Sequence, residues 1–373
     1  MPSSFGGVSF RSELRAELLC RTKARPRSAG DAVDKSGKCP ILPDARVFIL
    51  GAGFSHAAGV PLTYALLPTM HKLVRRRPED YRFRFRRAIK QYFPQAKLTR
   101  EGLTHIDIEV LLSLHECKHH TDMYGGEGWS EEGSKELVVI KSLLAEALSQ
   151  YDGGLPQVYH EFASLLGPSD YVLTFNWDTV LEESLQAAGK PYSLKPDPDS
   201  ISLLKMHGSV DWKRLGAGNQ FLRDETYPQM KRRVVGNVYQ YPCLENAAAR
   251  RRHAALTSFA YVNPYIVLPS FSKLQWLDAL KDYWYRTAIL FTLNIRHVII
   301  IGYSLRKDDY HTRSFLIPGI ETFFHRKRRG KLVILDPCRS VLANYDFVAP
   351  GRLEHIDGEF SEASLSRLAG MLT

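Results

Sequence analysis

The segment 47–61 constrains this chain more than any other part of it. It opens on an apolar run and breaks on Gly51, Ala52 and Gly53, with Gly59 following. Glycine lets backbone N–H groups approach a phosphate with no Cβ in the way, and a helix that begins at such a turn directs the positive end of its dipole at the same charge. The segment therefore predicts a strand, a phosphate-binding turn and a helix.

The spacing of these glycines departs from the common dinucleotide fingerprint. That fingerprint, G-x-G-x-x-G, requires glycine at position 56, where this chain has His56. An ordinary dehydrogenase is therefore disfavoured. A Gly-Ala-Gly turn taken alone also suits a strand-to-helix connection that binds nothing, so the choice depends on the rest of the chain.

Three motifs in one order resemble those of the sirtuin superfamily. The first is the Gly-Ala-Gly-x-Ser-x-x-x-Gly-x-Pro string within the segment 47–61. The second contains Thr174, Asn176 and Asp178 and is similar to the family's Thr-x-Asn-x-Asp. The third contains His207 and is similar to its His-Gly motif.

Two further segments extend the resemblance toward the C-terminus. Residues 298–305 are similar to the family's Gly-x-Ser turn, with Gly302 and Ser304 at the matching positions. Residues 332–337 resemble its last sheet strand, with Asp336 near the end.

Size and cysteine content agree with a large intracellular domain. At 373 residues the chain exceeds the usual size of one compact domain, which predicts a domain with an insertion. Its five cysteines form no close pair, so neither a disulfide framework nor a Cys-x-x-Cys metal site is indicated. No apolar run approaches the ~20 residues of a membrane helix, and the N-terminus lacks the apolar core of a secretory signal. We expect a cytoplasmic protein.

Apolar spacing of three and four predicts a long helical region between the first two strands of the sheet. The predicted helices are Leu62–Val74, Tyr81–Tyr92, Ile106–His120, Lys135–Gln150 and Pro156–Leu166, with a loop at Thr121–Gly133. This region is too long for a simple crossover helix. We expect a helical insertion at about 62–166 that forms its own lobe over the site.

Outside the insertion, short runs of Val, Ile and Leu alternate with helical segments, as in a parallel sheet covered on both faces. Strands are predicted at 47–50, 171–174, 202–206, 265–268, 297–301 and 331–335, and helices at 178–188 and from Lys273 to about Ile295. The predicted fold class is α/β: a Rossmann-like parallel sheet with helices on both faces and a large α-helical insertion lobe. Ligands of such sheets bind beyond the C-terminal ends of the strands, where Gly51, Asn176, His207 and Gly302 are all predicted to lie.

Three parts of the chain are predicted. Residues 1–43 mix Ser, Gly, Pro and basic residues without sustained periodicity and are expected to form a flexible basic arm. Residues 44–337 form the sirtuin-like domain that the resemblance covers. Residues 338–373 form a C-terminal extension of a strand and a helix.

The resemblance implies that Asn176 and His207 are the catalytic pair of a sirtuin-like NAD hydrolase. Nicotinamide leaves its ribose as a neutral molecule, so the reaction needs a held ribose, a stabilised oxocarbenium-like transition state and a nucleophile rather than a strong acid. A carboxamide can hold a hydroxyl or a water, and an imidazole is a base at neutral pH. A core histidine satisfied by the backbone is the alternative for His207. Asp178 either supplies negative charge near the developing cation or caps the following helix.

The same motifs imply which residues bind NAD, which here is the substrate. They are Gly51, Ala52, Gly53, Ser55, Thr174, Gly302, Ser304 and Asp336. The two serines suit phosphate or ribose oxygens, although serine at a helix start is often only a cap. Asp336 suits the hydroxyls of the adenosine ribose or is an ordinary turn aspartate.

One departure from the family concerns zinc. Sirtuins that deacylate proteins carry two Cys-x-x-Cys pairs after the His-Gly motif, whereas only Cys243 and Cys338 follow it here. No four-thiolate site can be built, so no zinc is expected. This departure and the large insertion favour a sirtuin-like NAD hydrolase of prokaryotic anti-phage defence, with water as the acceptor. Two alternatives stay open: a module that only senses NAD or a related nucleotide, and a deacylase without zinc.

Residues 115–119 fit H-E-x-x-H, the zinc motif of metalloproteases, through His115, Glu116 and His119. Lys118 places a charge inside the motif, and the residues before it have the pattern of core packing. A structural helix is therefore favoured over a metalloprotease. Glu109, earlier in this helix, either lines the mouth of the site or is solvated.

The net charge of +10 and basic clusters at 72–90, 250–252 and 325–331 attract polyanions. Solvated helix faces are the simpler explanation of each cluster. Because an unregulated NAD hydrolase would harm its own cell, we expect a homo-oligomer controlled by a translocase or nucleic-acid-binding partner, with direct nucleic-acid contact as one option and no membrane association.

Overall fold

The structure is a computed structural model. It describes residues 45–120, 129–130, 133–151, 154–194, 200–214, 232–235, 238–240, 264–268, 270, 280–291, 295–326 and 330–372. All of them belong to one compact unit, Asp44–Thr373. The predicted N-terminal arm lies outside the described residues.

The elements follow one another in the order that the sequence predicted. The strands are β1 (Ala45–Leu50), β2 (Trp129–Ser130), β3 (Gly133–Ser134), β4 (Tyr171–Thr174), β5 (Tyr192–Ser193), β6 (Ile201–Lys205), β7 (Gly208–Arg214), β8 (Arg232–Val235), β9 (Val238–Gln240), β10 (Pro264–Ile266), β11 (Ile295–Ile301), β12 (Leu332–Asp336) and β13 (Leu353–Asp357). The α-helices are α1 (Ala52–His56), α2 (Thr63–Val74), α3 (Glu79–Lys90), α4 (Arg100–Thr104), α5 (Ile108–His120), α6 (Lys135–Leu148), α7 (Gln157–Leu165), α8 (Val180–Ala187), α9 (Lys281–Leu290), α10 (Tyr310–Arg326) and α11 (Glu362–Leu372), and a 3-10 helix spans Arg339–Tyr345.

Seven strands form the central sheet in the order β13-β12-β11-β1-β4-β6-β5. Every neighbouring pair is parallel. The strands that carry the predicted apolar runs are buried, and residues 47–50 of β1 and 298–301 of β11 have no exposed surface. The predicted α/β class with a parallel sheet is confirmed, because continuous apolar runs are stable only where helices cover both faces.

The sheet differs from the prediction at several places. The predicted strand at 265–268 is not part of it but pairs antiparallel in a second sheet, and the unpredicted β5 forms one edge. The central sheet extends one strand beyond the 332–336 segment, since β13 pairs with β12. The predicted helix from Lys273 to Ile295 runs too far, because Ile295 already pairs with Ala45 at the start of β11, and this tertiary pairing overrides the helical spacing. Residues 273–279 and 292–294 of that predicted helix lie outside the described residues.

The helical insertion is confined to α2–α6. These helices pack on one another, with α6 in contact with α2 and α3, and α2 in contact with α4 and α5. The sequence missed α4, a single turn capped by the Thr99 side chain. By contrast α7, which the predicted insertion at 62–166 included, packs on α8 and α11, and its Phe162 meets Phe48 of β1 edge to face. It therefore covers the central sheet.

A second sheet of four strands, β10-β7-β9-β8, is antiparallel and follows β6 directly. It anchors the segment after β6, since the Val267 N–H donates to the His207 carbonyl at 2.8 Å. Among the described residues, none of the helices has the length and apolar content needed to cross a membrane.

The turns after β1 and β11 contact each other through glycine. Gly302 has a φ of +58°, and a Cβ added there would lie 2.5 Å from the Cα of Gly53. The Gly53 N–H donates to the Gly302 carbonyl at 3.0 Å. These glycines are therefore required for two backbones to meet, whatever else they bind.

We expect Gly302→Ala to destabilise the fold more than Gly189→Ala does. Both positions have a similar positive φ, +58° and +63°, but no atom lies within 4 Å of a Cβ at Gly189. Each variant loses about 1–2 kcal/mol for left-handed backbone, and the clash at Gly302 adds about 1–3 kcal/mol. Urea unfolding measures both. Equal losses in the two variants would show that the turns after β1 and β11 can move apart to admit a Cβ at Gly302 without a cost in stability.

Candidate functional site

The C-terminal ends of the central strands surround one cavity of about 520 Å³. The chain leaves β1 for β4 on one side and later places β11 on the other side, so β1 is the switch point at which ligands of such sheets bind. The insertion closes the cavity through Thr63 and Leu66 of α2 and Glu109 of α5. The volume lies in the range of small-molecule sites.

Asn176 joins the turn after β4 to the turn after β1. Its Nδ2 donates to the Gly51 carbonyl at 2.8 Å and to Ser55 Oγ at 2.9 Å. Its own N–H donates to Thr174 Oγ1 at 3.1 Å. Because both amide hydrogens are used, the group that remains for a ligand is Oδ1, an acceptor at the cavity wall.

Ser55 continues this chain of hydrogen bonds to Asp178. The Ser55 hydroxyl, in a residue only 1% exposed, donates to Asp178 Oδ1 at 3.0 Å. The same Oδ1 accepts from the Val180 N–H at 3.1 Å, so Asp178 also caps the start of α8. The sequence left these two roles of Asp178 as alternatives, and the geometry combines a capping bond with a place in the site.

A buried lysine, which no sequence motif indicated, lies next to this series of hydrogen bonds. Lys205, at the end of β6, has no exposed surface; its Nζ donates to the Asp178 carbonyl at 2.5 Å and to Glu182 Oε1 at 2.6 Å. Burial raises the pKa of Asp178, and the Lys205 ammonium acts against that rise. Burial also raises the pKa of Glu182 to about 7. The signal in the sequence was a lysine that ends an otherwise apolar strand.

His207 lies in the turn after β6 and lines the cavity. It is 6% exposed, and its ring meets Phe175 edge to face with the ring centres 5.1 Å apart. Phe175 in turn stacks on Tyr303 at 4.5 Å. His207 is thus largely buried, as the core-histidine alternative requires, yet it borders the same cavity as Asn176.

Three carbonyl groups of the turn after β11 are bound by side chains that do not belong to the cavity lining. The Tyr303 carbonyl accepts from the Tyr345 hydroxyl at 2.6 Å, and the Ser304 carbonyl accepts from Asn344 Nδ2 at 2.9 Å. The Leu305 carbonyl accepts from Arg313 Nη1 at 3.3 Å. A trans peptide points its N–H opposite to its carbonyl, so the next N–H groups in the chain face away from these partners.

Arg306 connects this turn to the insertion. Its Nε and Nη2 bind Asp308 at 3.0 and 2.6 Å, and its Nη1 lies 3.4 Å from Glu109 Oε2. All three residues line the cavity. The hydrogen bond to Asp308 raises the pKa of Arg306, so this cation persists at any physiological pH. The sequence analysis had considered Glu109 for the mouth of the site but had missed Arg306.

The predicted site residues divide into two groups. Those that line the cavity are Gly51, Ala52, Asn176, Asp178, His207, Gly302 and Ser304. The others, Gly53, Ser55, Thr174 and Asp336, do not line it. Asp336 Oδ1 accepts from the Cys338 N–H at 2.8 Å, which is the geometry of an ordinary turn aspartate.

The H-E-x-x-H residues make structural contacts. His115 is 3% exposed and its Nε2 donates to the Ala88 carbonyl at 3.0 Å. Glu116 accepts a hydrogen bond from Ser270 beside the cavity. The side chain of His119 lies outside the described residues. In the part of the chain that the structure describes, no three His, Cys, Asp or Glu side chains cluster as metal ligands do.

Comparison with known proteins identifies part of the chain. Residues 170–343 match the family model described as a SIR2-like domain. The match runs from the start of β4 into the 3-10 helix and includes Asn176, His207 and Gly302. The glycine turn after β1 precedes it. No curated protein matches the chain.

Solved structures similar to this chain are Sir2 homologues at low identity. A Sir2 homologue in complex with NAD is 13% identical, with 88% of this chain and 90% of that chain covered and a TM-score of 0.40. A mutant Sir2 homologue with 2'-O-acetyl ADP ribose is 14% identical, with 88% and 92% covered and a TM-score of 0.39. Another mutant Sir2 homologue, in complex with ADP ribose, is 14% identical, with 88% of this chain and 92% of that chain covered and a TM-score of 0.36.

We expect His115→Ala to lower stability and to leave the zinc content of the purified protein unchanged. The variant loses a buried ring and its bond to Ala88, at a cost of roughly 2–4 kcal/mol. The exposed His105 provides the control His105→Ala, which should change the free energy of unfolding little. Elemental analysis that finds one zinc per wild-type chain and none in His115→Ala would revive the metalloprotease interpretation.

Proposed function

We propose that this protein binds NAD in the cavity and hydrolyses it to nicotinamide and ADP-ribose. The observation that carries the proposal is the fixed amide of Asn176, whose two N–H groups are committed to Gly51 and Ser55. Asn176 lines the same cavity as His207, and its oxygen is the amide group left to accept from a ligand. A binding module needs the glycine turns but has no use for a fixed acceptor beside an imidazole.

In the proposed reaction, the Asn176 oxygen and the His207 imidazole act on the same water molecule. The Asn176 oxygen accepts a hydrogen bond from the water. The water oxygen attacks the anomeric carbon of the ribose, and His207 takes the proton that the water loses. The bond from that carbon to the pyridinium nitrogen breaks, and its electron pair leaves with neutral nicotinamide. The rings of Phe175 and Tyr303, stacked at 4.5 Å, offer nicotinamide an apolar wall.

The turn after β11 supplies donors for the pyrophosphate in this proposal. The N–H groups of residues 304–306 face away from the side chains that bind the carbonyls of 303–305, and successive N–H groups of this kind form an anion-binding concavity. Arg306 adds a positive charge at the same wall. Gly51 and Ala52 line the cavity from the facing turn. In this proposal, Ser55 supports Asn176 instead of binding phosphate.

We expect Asn176→Ala and His207→Ala each to lower the kcat of NAD cleavage by about 100-fold or more, since each removes a group that acts in the transition state. Asn176→Asp should fail as well, because a carboxylate has no hydrogen to donate to the Gly51 carbonyl. Production of nicotinamide, followed by chromatography, measures all three.

Two observations separate chemistry from folding. His325 is exposed at the end of α10, so His325→Ala should keep full activity. The melting temperatures of the site variants should stay near that of the wild type. A near wild-type rate in His207→Ala or Asn176→Ala would contradict the assignment.

We further propose that the protein is the toxic effector of an anti-phage system in the cytoplasm, working as a homo-oligomer with low basal activity. The resemblance to that branch of the sirtuin-like proteins and the harm of unregulated NAD loss support this role. The control then comes from assembly or from a partner, such as a translocase or a nucleic-acid-binding protein.

The basic segment 72–90 is the favoured contact for a nucleic acid. Its exposed cations are Lys72, Arg75, Arg76, Arg82, Arg86 and Arg87. Two of them are partly neutralised, since Arg82 pairs with Glu79 and Arg87 lies 3.6 Å from Glu136. In the 325–331 cluster, Lys331 pairs with Glu354; residues 250–252 and 327–329 lie outside the described residues. The surface at the end of α2 and along α3 is therefore the basic cluster whose exposed cations the structure describes.

We expect a triple change of Arg75, Arg76 and Arg86 to Gln to weaken binding of a duplex DNA oligonucleotide. The slope of log affinity against log salt should fall by up to about 3, close to one for each lost phosphate contact. Arg296, Arg339 and Arg367 are exposed elsewhere and provide the matched triple control. Equal losses in both triples would indicate a general charge effect, and no DNA binding by the wild type would leave a protein partner as the contact.

A further inference from the structure

We propose that Lys205 is a positioning residue for Asn176, acting through Asp178 and Ser55. This inference rests on the function proposed above and adds to it the residue that fixes the orientation of the catalytic amide. Lys205 itself does not line the cavity; it contacts Asp178, which does. Its effect travels along hydrogen bonds.

The first step is how Lys205 reaches the turn that carries Asn176. Lys205 ends β6 and is the register partner of Thr174, the last residue of β4. From there its side chain extends, fully buried, to the Asp178 carbonyl at 2.5 Å. The ammonium thus holds the far end of the 175–178 turn, on which Asn176 lies.

The second step is the direction of the hydrogen bonds. A charged Asp178 only accepts, so the single hydrogen of Ser55 must point to it, at 3.0 Å. The lone pairs of Ser55 then face Asn176 and select its Nδ2, at 2.9 Å. An Asp178 protonated on the oxygen that faces Ser55 would itself donate to Ser55, which would release the Ser55 hydrogen toward Asn176 and leave the Gly51 carbonyl as the remaining contact that selects the Asn176 nitrogen.

The third step is the charge that favours the ionised form of Asp178. Burial favours the neutral carboxyl, and the Lys205 ammonium is the largest influence in the opposite direction. The other titratable groups near Asp178 and its lysine are Tyr151, Tyr159, Glu182, Glu183 and Asp211. None of these five groups is a cation, so among them and Lys205 the positive charge near the Asp178 carboxyl comes from Lys205.

A structural ion pair is the competing explanation. Lys205 and Glu182 lie 2.6 Å apart with exposures of 0% and 7%, and a buried pair of this kind is often replaceable by apolar residues without loss of stability. The double variant Lys205→Met with Glu182→Met removes both charges of the pair, so the group whose ionisation then changes is Asp178. The pair Arg77 and Glu146, also 2.6 Å apart and largely buried, provides the matched control when both become Met.

The decisive measurement does not require activity. The free energy of unfolding is measured as a function of pH for the wild type and for both double variants. Each of these three proteins is measured with Asp178 intact and again with Asp178→Asn. The difference curve gives the pH at which Asp178 loses its proton in the folded state. We expect this midpoint to move up by one unit or more without Lys205 and Glu182, and to stay in place in the Arg77 and Glu146 control.

Activity supplies the second readout. Without Lys205 and Glu182, kcat at pH 7 should fall about tenfold or more and recover as the pH is raised and Asp178 ionises again, whereas KM should change little. An unmoved Asp178 midpoint, or a loss of kcat that is the same at every pH, would overturn the inference and leave a structural pair. If the wild type does not cleave NAD, the proposed function fails. The pH at which Asp178 loses its proton in the folded state then tests, without any activity, whether Lys205 controls Asp178.

Discussion

The hydrogen bond from Asn176 to the Gly51 carbonyl is the contact on which the rest of the site depends. It joins the turns after β4 and β1 at 2.8 Å, in the centre of the parallel sheet. Gly53 and Gly302 join the turns after β1 and β11 in the same region. Three strand ends are thus tied together by one side-chain amide and by backbone groups, and the cavity is formed where they meet. The insertion completes the lining through Thr63, Leu66 and Glu109.

Burial of charge is the cost of this arrangement. Asp178, Glu182 and Lys205 lie under the turn at exposures of 6% or less. Such groups are tolerated only when each is paired and hydrogen-bonded, and here each bond also fixes the orientation of a neighbour. The pKa of Glu182 is raised to about 7, so its contribution to stability is full below its ordinary value of 4.5 and is lost as the pH rises through 7. This one group thus ties stability to pH in the physiological range.

The sequence predicted the sheet and the placement of the cavity residues because both follow from short-range signals. Apolar runs define β1, β4, β11 and β12, and a motif residue at the end of a parallel strand lies at the ligand edge. The contacts between charged side chains could not be predicted in this way. Lys205, Glu182 and Arg306 act through partners 23 to 197 positions away in the chain, and no local pattern encodes such pairings. Ser55 shows the same limit, since its motif position indicated a phosphate ligand while the fold commits its hydroxyl to Asp178.

The most direct test of the account is the fate of NAD in the presence of the purified protein. Nicotinamide and ADP-ribose are quantified by chromatography, with and without an acetyl-lysine peptide. The account predicts equal amounts of the two products, formed at the same rate whether or not the peptide is present. NAD that binds and stays intact would indicate a sensing module, and nicotinamide that forms only with the peptide would indicate a deacylase; either result would contradict NAD hydrolysis.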